Sequence, residues 1–596
     1  MKTLPLAHPL LDVVYWNMFL RKISVNKGGQ RHDYWALIES VRTERGPRHR
    51  VVSYLGNMDE AGRLGVEQAA EGHPPLQETL FDESTSPEWI EVNTRKVRTE
   101  RVRRFGDVWL ALELIKRLGL DELMEQSMPE TQPKISWALL VNVLVISRFC
   151  EPSSELHIAE EFYRKSALSD LLGIPNEDIY DNRLYRSLDK LVVHKDEIQK
   201  HLKERLGELF DITYDILLYD VTSTYFEGEV ASNPQAQRGY SRDSRPDCKQ
   251  VCIGLVVSKE GIPFGYEVFE GNRHDSQTVE TIIEKMESLY GKSDRVWIMD
   301  RGMANPDNLE LLQEEGRRYI IGTPKKLLKR FERELLTQDW EKVHEGLEVK
   351  MCPSPPEYGS EHETFILCRS AARQEKEKAI HDRFIERLEK GLGKVKKSCD
   401  SGRPKEVAVI ERRVGRLLER YNRASHLFQI NVKERNGRAS LSWKMDKTYA
   451  EWARLSEGCY LLRTNIRNWS AEELWKAYIQ LTEAESAFRI QKQDLGLRPI
   501  WHQREDRVQA HILVCFLAYV LWRLLAQMCK QAGLGNEPRK VIEEIRNLTL
   551  VDVVLPTRKG IEIRLRCVSR PEHHLALLLQ KLALRPPDRL KMKLKL

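Results

Sequence analysis

The chain has 596 residues, 41% of them apolar and 31% charged. That is several times the usual domain size, and the balance excludes a small disulfide-stapled module, a disordered chain and a membrane-embedded one. A net charge of +6 is a mild lean toward anionic partners, so the places where basic residues cluster matter more than the total.

Residues 1–70 contain YWALIESVRTERGPRHRVVSYLG, two β-rich runs joined by a polar Gly-Pro turn, which predicts a basic β-hairpin. The residues before it are not expected to act as a secretion signal. Residues 71–90 are proline-rich and acidic and read as a linker. Residues 91–210 read as a helical DNA-facing domain, opened by the stretch that carries Arg95, Lys96, Arg98, Arg101, Arg103 and Arg104. The longest apolar runs, residues 135–146 and 512–522, fall short of the ~20 residues a bilayer span needs. They are expected as buried core helices, with no membrane partner. Cys248 and Cys252 stand close together without a second pair at zinc-ligand spacing, so they read as packed thiols.

From residue 211 the pattern changes to short strands: ILLYDVTSTYF, then VCIGLVVS and IPFGYEVFEG across a Lys259-Glu260-Gly261 turn. A helix, the strand RVWIMD, a second helix and the strand RRYIIGT follow. Three strands, helix, strand, helix, strand is the order of an α/β fold with a ribonuclease-H-like mixed sheet and flanking helices. Its first part covers residues 211–323. Residues 324–455 read as an inserted subdomain of helices and strands, and residues 456–535 as the second part of the core, with Ser470 as the N-cap of a helix. Residues 536–596 form a C-terminal region ending in a basic tail.

Asp220 and Asp300 each stand where an apolar strand run turns polar, so on two strands of one sheet their carboxylates converge at one edge. A glutamate from a packed helix completes the set. Tyr478, Glu485, Arg489 and Lys492 are spaced by seven, four and three residues, which predicts one helix face shared with Leu481. Hard divalent cations take oxygen ligands. Two such ions ~4 Å apart stabilise charge on the entering and leaving oxygens of a phosphodiester displacement.

These segments resemble the DDE transposases of bacterial insertion sequences, in the group typified by insertion sequence four. The family motif runs Tyr, two residues, Arg, three residues, Glu, six residues, Lys. Tyr478, Glu485 and Lys492 fall in register, while Leu481 takes the arginine's place. LYDVTSTYFEG and VWIMDRGMAN resemble the two aspartate motifs, and the likeness covers roughly residues 210 to 525. It implies a transposase that cuts at transposon ends and joins the 3′-hydroxyls to target DNA, with Asp220, Asp300 and Glu485 as metal-binding catalytic residues. It further implies two Mg²⁺ ions with Mn²⁺ as a substitute, double-stranded DNA as partner, a homodimer on DNA, and a bacterial cytoplasmic, nucleoid-associated location. Lys492 and Tyr478 are expected on DNA phosphates, with Arg489 a stand-in for the missing arginine. A nuclease of the same fold that cuts without joining, a DNA-binding relic and a helical scaffold with solvated basic faces remain as alternative readings. His274 and His502, although near the motifs, read as structural hydrogen-bonders.

Overall fold

The computed structural model describes residues 18–27, 30–43, 46–56, 90–128, 135–314, 316–356, 362–401, 406–435, 438–558 and 560–590. Nearly all of the expected linker and the last six residues of the basic tail lie outside them. Strands β1 (Met18–Lys27), β2 (Gln30–Thr43) and β3 (Gly46–Gly56) form an antiparallel sheet. The expected hairpin is β2–β3, and β1 adds a third strand to it.

Strand β4 (Arg98–Arg104) precedes helices α1 (Gly106–Arg117), α2 (Trp137–Cys150), α3 (Asp181–Leu191) and α4 (Lys195–Phe210). Ser136 caps α2 by accepting from the Ala138 amide at 3.1 Å, and the apolar run behind it is buried.

Then come β5 (Ile216–Tyr225), β6 (Gln250–Ser258), β7 (Pro263–Glu270), α5 (Val279–Tyr290), β8 (Val296–Met299), α6 (Pro306–Glu314) and β9 (Arg318–Gly322). This is the predicted order. Strands β5, β6 and β7 are antiparallel, whereas β8 runs parallel to β5 and β9 to β8. Every residue of β6 and β8 is buried, which is why their sequences read as continuous apolar runs rather than alternating ones.

Strands β10 (Glu341–His344), β11 (Leu347–Pro353) and β12 (Thr364–Ser370) lie inside the expected insertion, yet they extend the core sheet. With β15 (Cys459–Thr464) its order is β10-β11-β12-β15-β9-β8-β5-β6-β7. Between them α7 (Ala371–Asp400), α8 (Val407–Arg420), β13 (Phe428–Arg435) and β14 (Arg438–Met445) enclose a separate core around Leu388, Leu392, Ile410, Val414 and Leu441.

The chain closes with α9 (Ala471–Ile479), α10 (Thr482–Gln493), α11 (Glu505–Gln531), α12 (Pro538–Ile545), β16 (Thr549–Pro556), β17 (Glu562–Val568) and α13 (His573–Lys581). Ser470 caps α9 in a reciprocal capping box with Glu473. Helix α11 is long and apolar enough to cross a membrane, but its apolar stretch is wholly buried against helices such as α2 and α3. Each Leu or Ile so buried contributes about 1.5–3 kcal/mol before entropy is subtracted. Strand β4 pairs with β16, which pairs with β17, so the stretch expected to open a helical domain is a strand of a sheet made with the C-terminal region.

Candidate active site

Parallel pairing sets the first two carboxylates. Tyr219 of β5 is in register with Met299 of β8, so the next residues along, Asp220 and Asp300, stand side by side; neighbouring strands lie about 4.8 Å apart. Asp220 remains in β5, opposite Leu255 of β6, and its Oδ1 accepts the Val221 amide at 2.8 Å. Asp300 leaves β8 for the short 3-10 turn Arg301–Met303 and is exposed.

Glu485 lies on the exposed side of α10, whose buried side, Ala484, Ala487 and Phe488, packs against β5 and β6. Two alanines on that side let the helix approach the sheet closely. Burial, then the charges of Glu485 and Asp300, push the Asp220 carboxyl up to about 7, against the opposing pull of the Val221 amide and Arg242. The sheet and α10 thus bring Asp220, Asp300 and Glu485 into one electrostatic unit.

Among the described residues, no three His, Cys, Asp or Glu side chains are gathered tightly enough to cage an ion as they stand. Like charges on neighbouring carboxylates oppose one another, and a bound divalent cation would offset that opposition. The donors are carboxylate oxygens without sulfur or imidazole, which suits a hard cation.

Lys492 is not open to solvent in the way the sequence implies. Its Nζ donates to Thr222 Oγ1 at 2.8 Å and to Asp243 Oδ1 at 2.9 Å. Arg498 pairs with the same carboxylate oxygen. Burial first, with help from the charges of Arg498 and Arg242, lowers the Lys492 ammonium, and Asp243 opposes them. Arg242 pairs in turn with Asp275. Sequence reasoning missed Asp243, Arg242 and Arg498, which lie in irregular segments without periodicity.

Tyr478, Glu485 and Lys492 do not share one continuous helix. The chain tightens at Gln480 and Leu481, where amides bond back three residues: Leu481 to the Tyr478 carbonyl at 3.0 Å and Glu483 to the Gln480 carbonyl at 2.7 Å. Helices α9 and α10 meet there, and Leu481 is buried in the joint. The Tyr478 hydroxyl lies against Gly322 of β9, where an added Cβ would come within 2.5 Å of it. Tyr478 and Asp300 line the same cavity of about 810 Å³, which Arg301, Arg373, His381 and Trp475 also border. Arg489 is exposed and donates to Ser486 Oγ at 3.2 Å.

The basic stretch divides. Arg95, Lys96, Arg98 and Arg101 are exposed, and Arg98 is held by Glu562 and Glu100. Arg103, expected on a DNA-facing surface, is 4% exposed, and its guanidinium pairs with Asp170 and Asp552. Arg104 pairs with Asp107 and Glu151. An irregularity at Arg101, whose φ is +51°, shifts the pairing of β4 with β16 and leaves Arg103 facing inward while its neighbours Arg101 and Val102 are exposed. His502 is a structural partner, 3.2 Å from Glu155, and His274 caps the turn before α5.

A mixed sheet of this order, with flanking helices and paired carboxylates at adjacent strand ends, is the architecture of ribonuclease-H-like nucleic-acid enzymes. The profile of the transposase DDE domain matches residues 212–521. The chain belongs to that family and is a DDE-type transposase. Residues 20–74 match the N-terminal domain of the IS1634 family of transposases, which places it among the insertion-sequence enzymes. No curated protein gives a significant match. Among solved structures, a synaptic complex of piggyBac transposase with hairpin DNA shares 8% identity at a TM-score of 0.34, over 77% of this chain and 82% of that one.

Proposed function

We propose that Asp220, Asp300 and Glu485 are the catalytic carboxylates of this transposase and hold two Mg²⁺ ions, with Mn²⁺ as a substitute. Divalent-metal dependence belongs to the family; the number and kind of ion are the proposal. The register of Tyr219 with Met299 carries the reading, because it makes neighbours of two aspartates 80 residues apart in the chain. When bound, the cations would supply charge stabilisation to the entering and leaving oxygens of the phosphodiester. The protein's own part is orientation: β5 and β8 fix the two aspartates, and α10 sets the glutamate across from them. The 3′-hydroxyl exposed by cleavage is the nucleophile, so no protein nucleophile is required.

DNA contact is assigned to Arg95, Lys96, Arg98 and Arg101 on the exposed part of the basic stretch, to Arg489, and to Lys492 and Tyr478 beside the carboxylates. Arg103 and Arg104 are left out because their charges are neutralised inside the fold. The active form is read as a homodimer on double-stranded DNA, working on the bacterial nucleoid in the cytoplasm. The core comprises residues 211–323 and 456–535, interrupted by 324–455.

The test is strand transfer in vitro with the element's own ends. Wild-type protein should cut and join in Mg²⁺ or Mn²⁺. Joining that persists in excess chelator, or that survives Asp220→Ala, Asp300→Ala and Glu485→Ala together, would overturn the assignment.

A further inference from the structure

The interrupting subdomain carries a groove that the active-site geometry does not use. Helices α7 and α8 lie against each other over Leu388, Leu392, Ile410 and Val414. At Gly391 they come close enough that an added Cβ would sit 2.9 Å from Leu417 Cδ2. Along the rim so formed, Arg387, Lys390 and Lys394 of α7 face Arg413, Arg416 and Arg420 of α8 across a cavity of about 440 Å³. All six are exposed. Both sets recur at i, i+3 and i+7, the spacing that keeps side chains on one helix face.

Among the described residues no carboxylate lines this groove, although both helices carry acids elsewhere, among them Glu386, Glu389, Glu411 and Glu419. A merely solvated helix surface intersperses signs, because like charges at helical spacing are destabilising. Two cationic stripes brought face to face over an apolar floor of Val395 and Leu417 therefore ask for an anion. Each stripe spans about 10 Å at 1.5 Å per residue. That length meets about three phosphates of one DNA strand at 3.4 Å per nucleotide. The groove shares a helix with the cavity beside Asp300: Glu377 and His381 of α7 line that cavity, and Lys390 lies about 20 Å further along the helix from Glu377.

We propose that the α7–α8 groove is a sequence-independent binding surface for the sugar-phosphate backbone of DNA leaving the catalytic carboxylates. The proposal rests on the family's DNA-binding activity and not on which residues do the chemistry. It is tested with full-length protein and a fluorescent duplex of arbitrary sequence, about 30 base pairs long, by anisotropy over a salt series. The groove double variant Lys390→Gln with Arg416→Gln is compared with Lys378→Gln and Arg412→Gln, which removes as much charge from the same two helices outside the groove.

The groove variant should flatten the slope of log affinity against log salt by about 1.8, from 0.9 per lost phosphate contact. The control should shift it by much less, and the thermal melts of both should match wild type. Equal slopes in the two variants, or a groove variant indistinguishable from wild type, overturns the proposal. So does loss of oligo-glutamate binding at an unchanged DNA slope, which assigns the groove to an acidic protein. Metal-dependent cleavage by the wild-type chain is read separately, so failure here leaves the catalytic assignment standing.

Discussion

Lys492 Nζ stands 2.9 Å from Asp243 Oδ1, and the Asp243 side chain is only 3% exposed. The lysine is therefore both a motif residue and half of a buried ion pair. The two roles separate experimentally. Lys492→Ala should slow strand transfer by about 1.5–3 kcal/mol, the range of a charge-assisted hydrogen bond to phosphate. It should also destabilise the fold by strengthening the penalty on Asp243, with Arg498 limiting the cost. Adding Asp243→Asn should restore stability and leave strand transfer impaired. Full recovery of transfer in the double variant would assign Lys492 to the fold alone.

The three carboxylates lead to a ligand-removal prediction. Glu485 and Asp300 both disfavour the charged form of Asp220, so a bound divalent cation should stabilise the folded chain. At a Mg²⁺ concentration ten times the dissociation constant the gain is about 1.4 kcal/mol, visible as a higher melting temperature. Excess chelator should reverse it. Asp220→Asn should abolish both the shift and cleavage while duplex binding persists. A Mg²⁺ shift of wild-type size in Asp220→Asn would place the ion elsewhere.

The basic stretch should divide by function in the same way that it divides by burial. Arg103→Ala strips a cation from Asp170 and Asp552, and breaking a buried pair costs about 3–5 kcal/mol. The remaining contacts from Arg566 to both acids place the loss toward the lower end. Arg95→Ala with Lys96→Ala should leave stability within about 0.5 kcal/mol, as surface changes do, and reduce the salt slope of DNA binding by up to about 1.8. Denaturant titration and anisotropy measure the two effects. Arg103→Ala with wild-type stability would return it to the DNA-facing set.

The core strands were legible in the sequence because β5, β6 and β8 are apolar runs that break at polar residues, and the breaks at Asp220 and Asp300 mark the candidate site. The glutamate helix was legible from its motif, but its joint was not: YIQLTEAES has unbroken helical propensity, and Leu481 is set by packing. Nor could spacing show that Arg103 meets Asp552, 449 residues away. Strands β10–β12 fall within the expected insertion yet belong to the core sheet, because membership of a sheet depends on long-range partners that no local pattern shows. Asp243 lies in an irregular loop where no periodicity marks a function.

Glu267 supports a pH prediction away from the chemistry. It lies on β7, the edge strand of the sheet, and its carboxylate accepts from Lys195 of α4 at 2.7 Å and pairs with Lys285 of α5. Burial alone would raise this carboxyl, but the two ammonium groups outweigh it and hold the group below its ordinary value. A depressed carboxylate contributes stability that is fully present above its unfolded value, ~4.3, and is lost as pH falls through the lower folded value. Glu267→Gln should therefore cost about 2–4 kcal/mol at pH 7, because Lys195 loses its carboxylate partner in a largely buried position. Lys285 keeps Asp196 at 3.0 Å, which restrains the penalty. Chemical denaturation of both proteins at pH 7 and near pH 3 checks the sign: the gap between them should narrow in acid as the wild-type carboxylate takes up its proton. A gap of equal size at both values would show that Glu267 holds α4 and α5 to the sheet by shape and hydrogen bonding, without its charge.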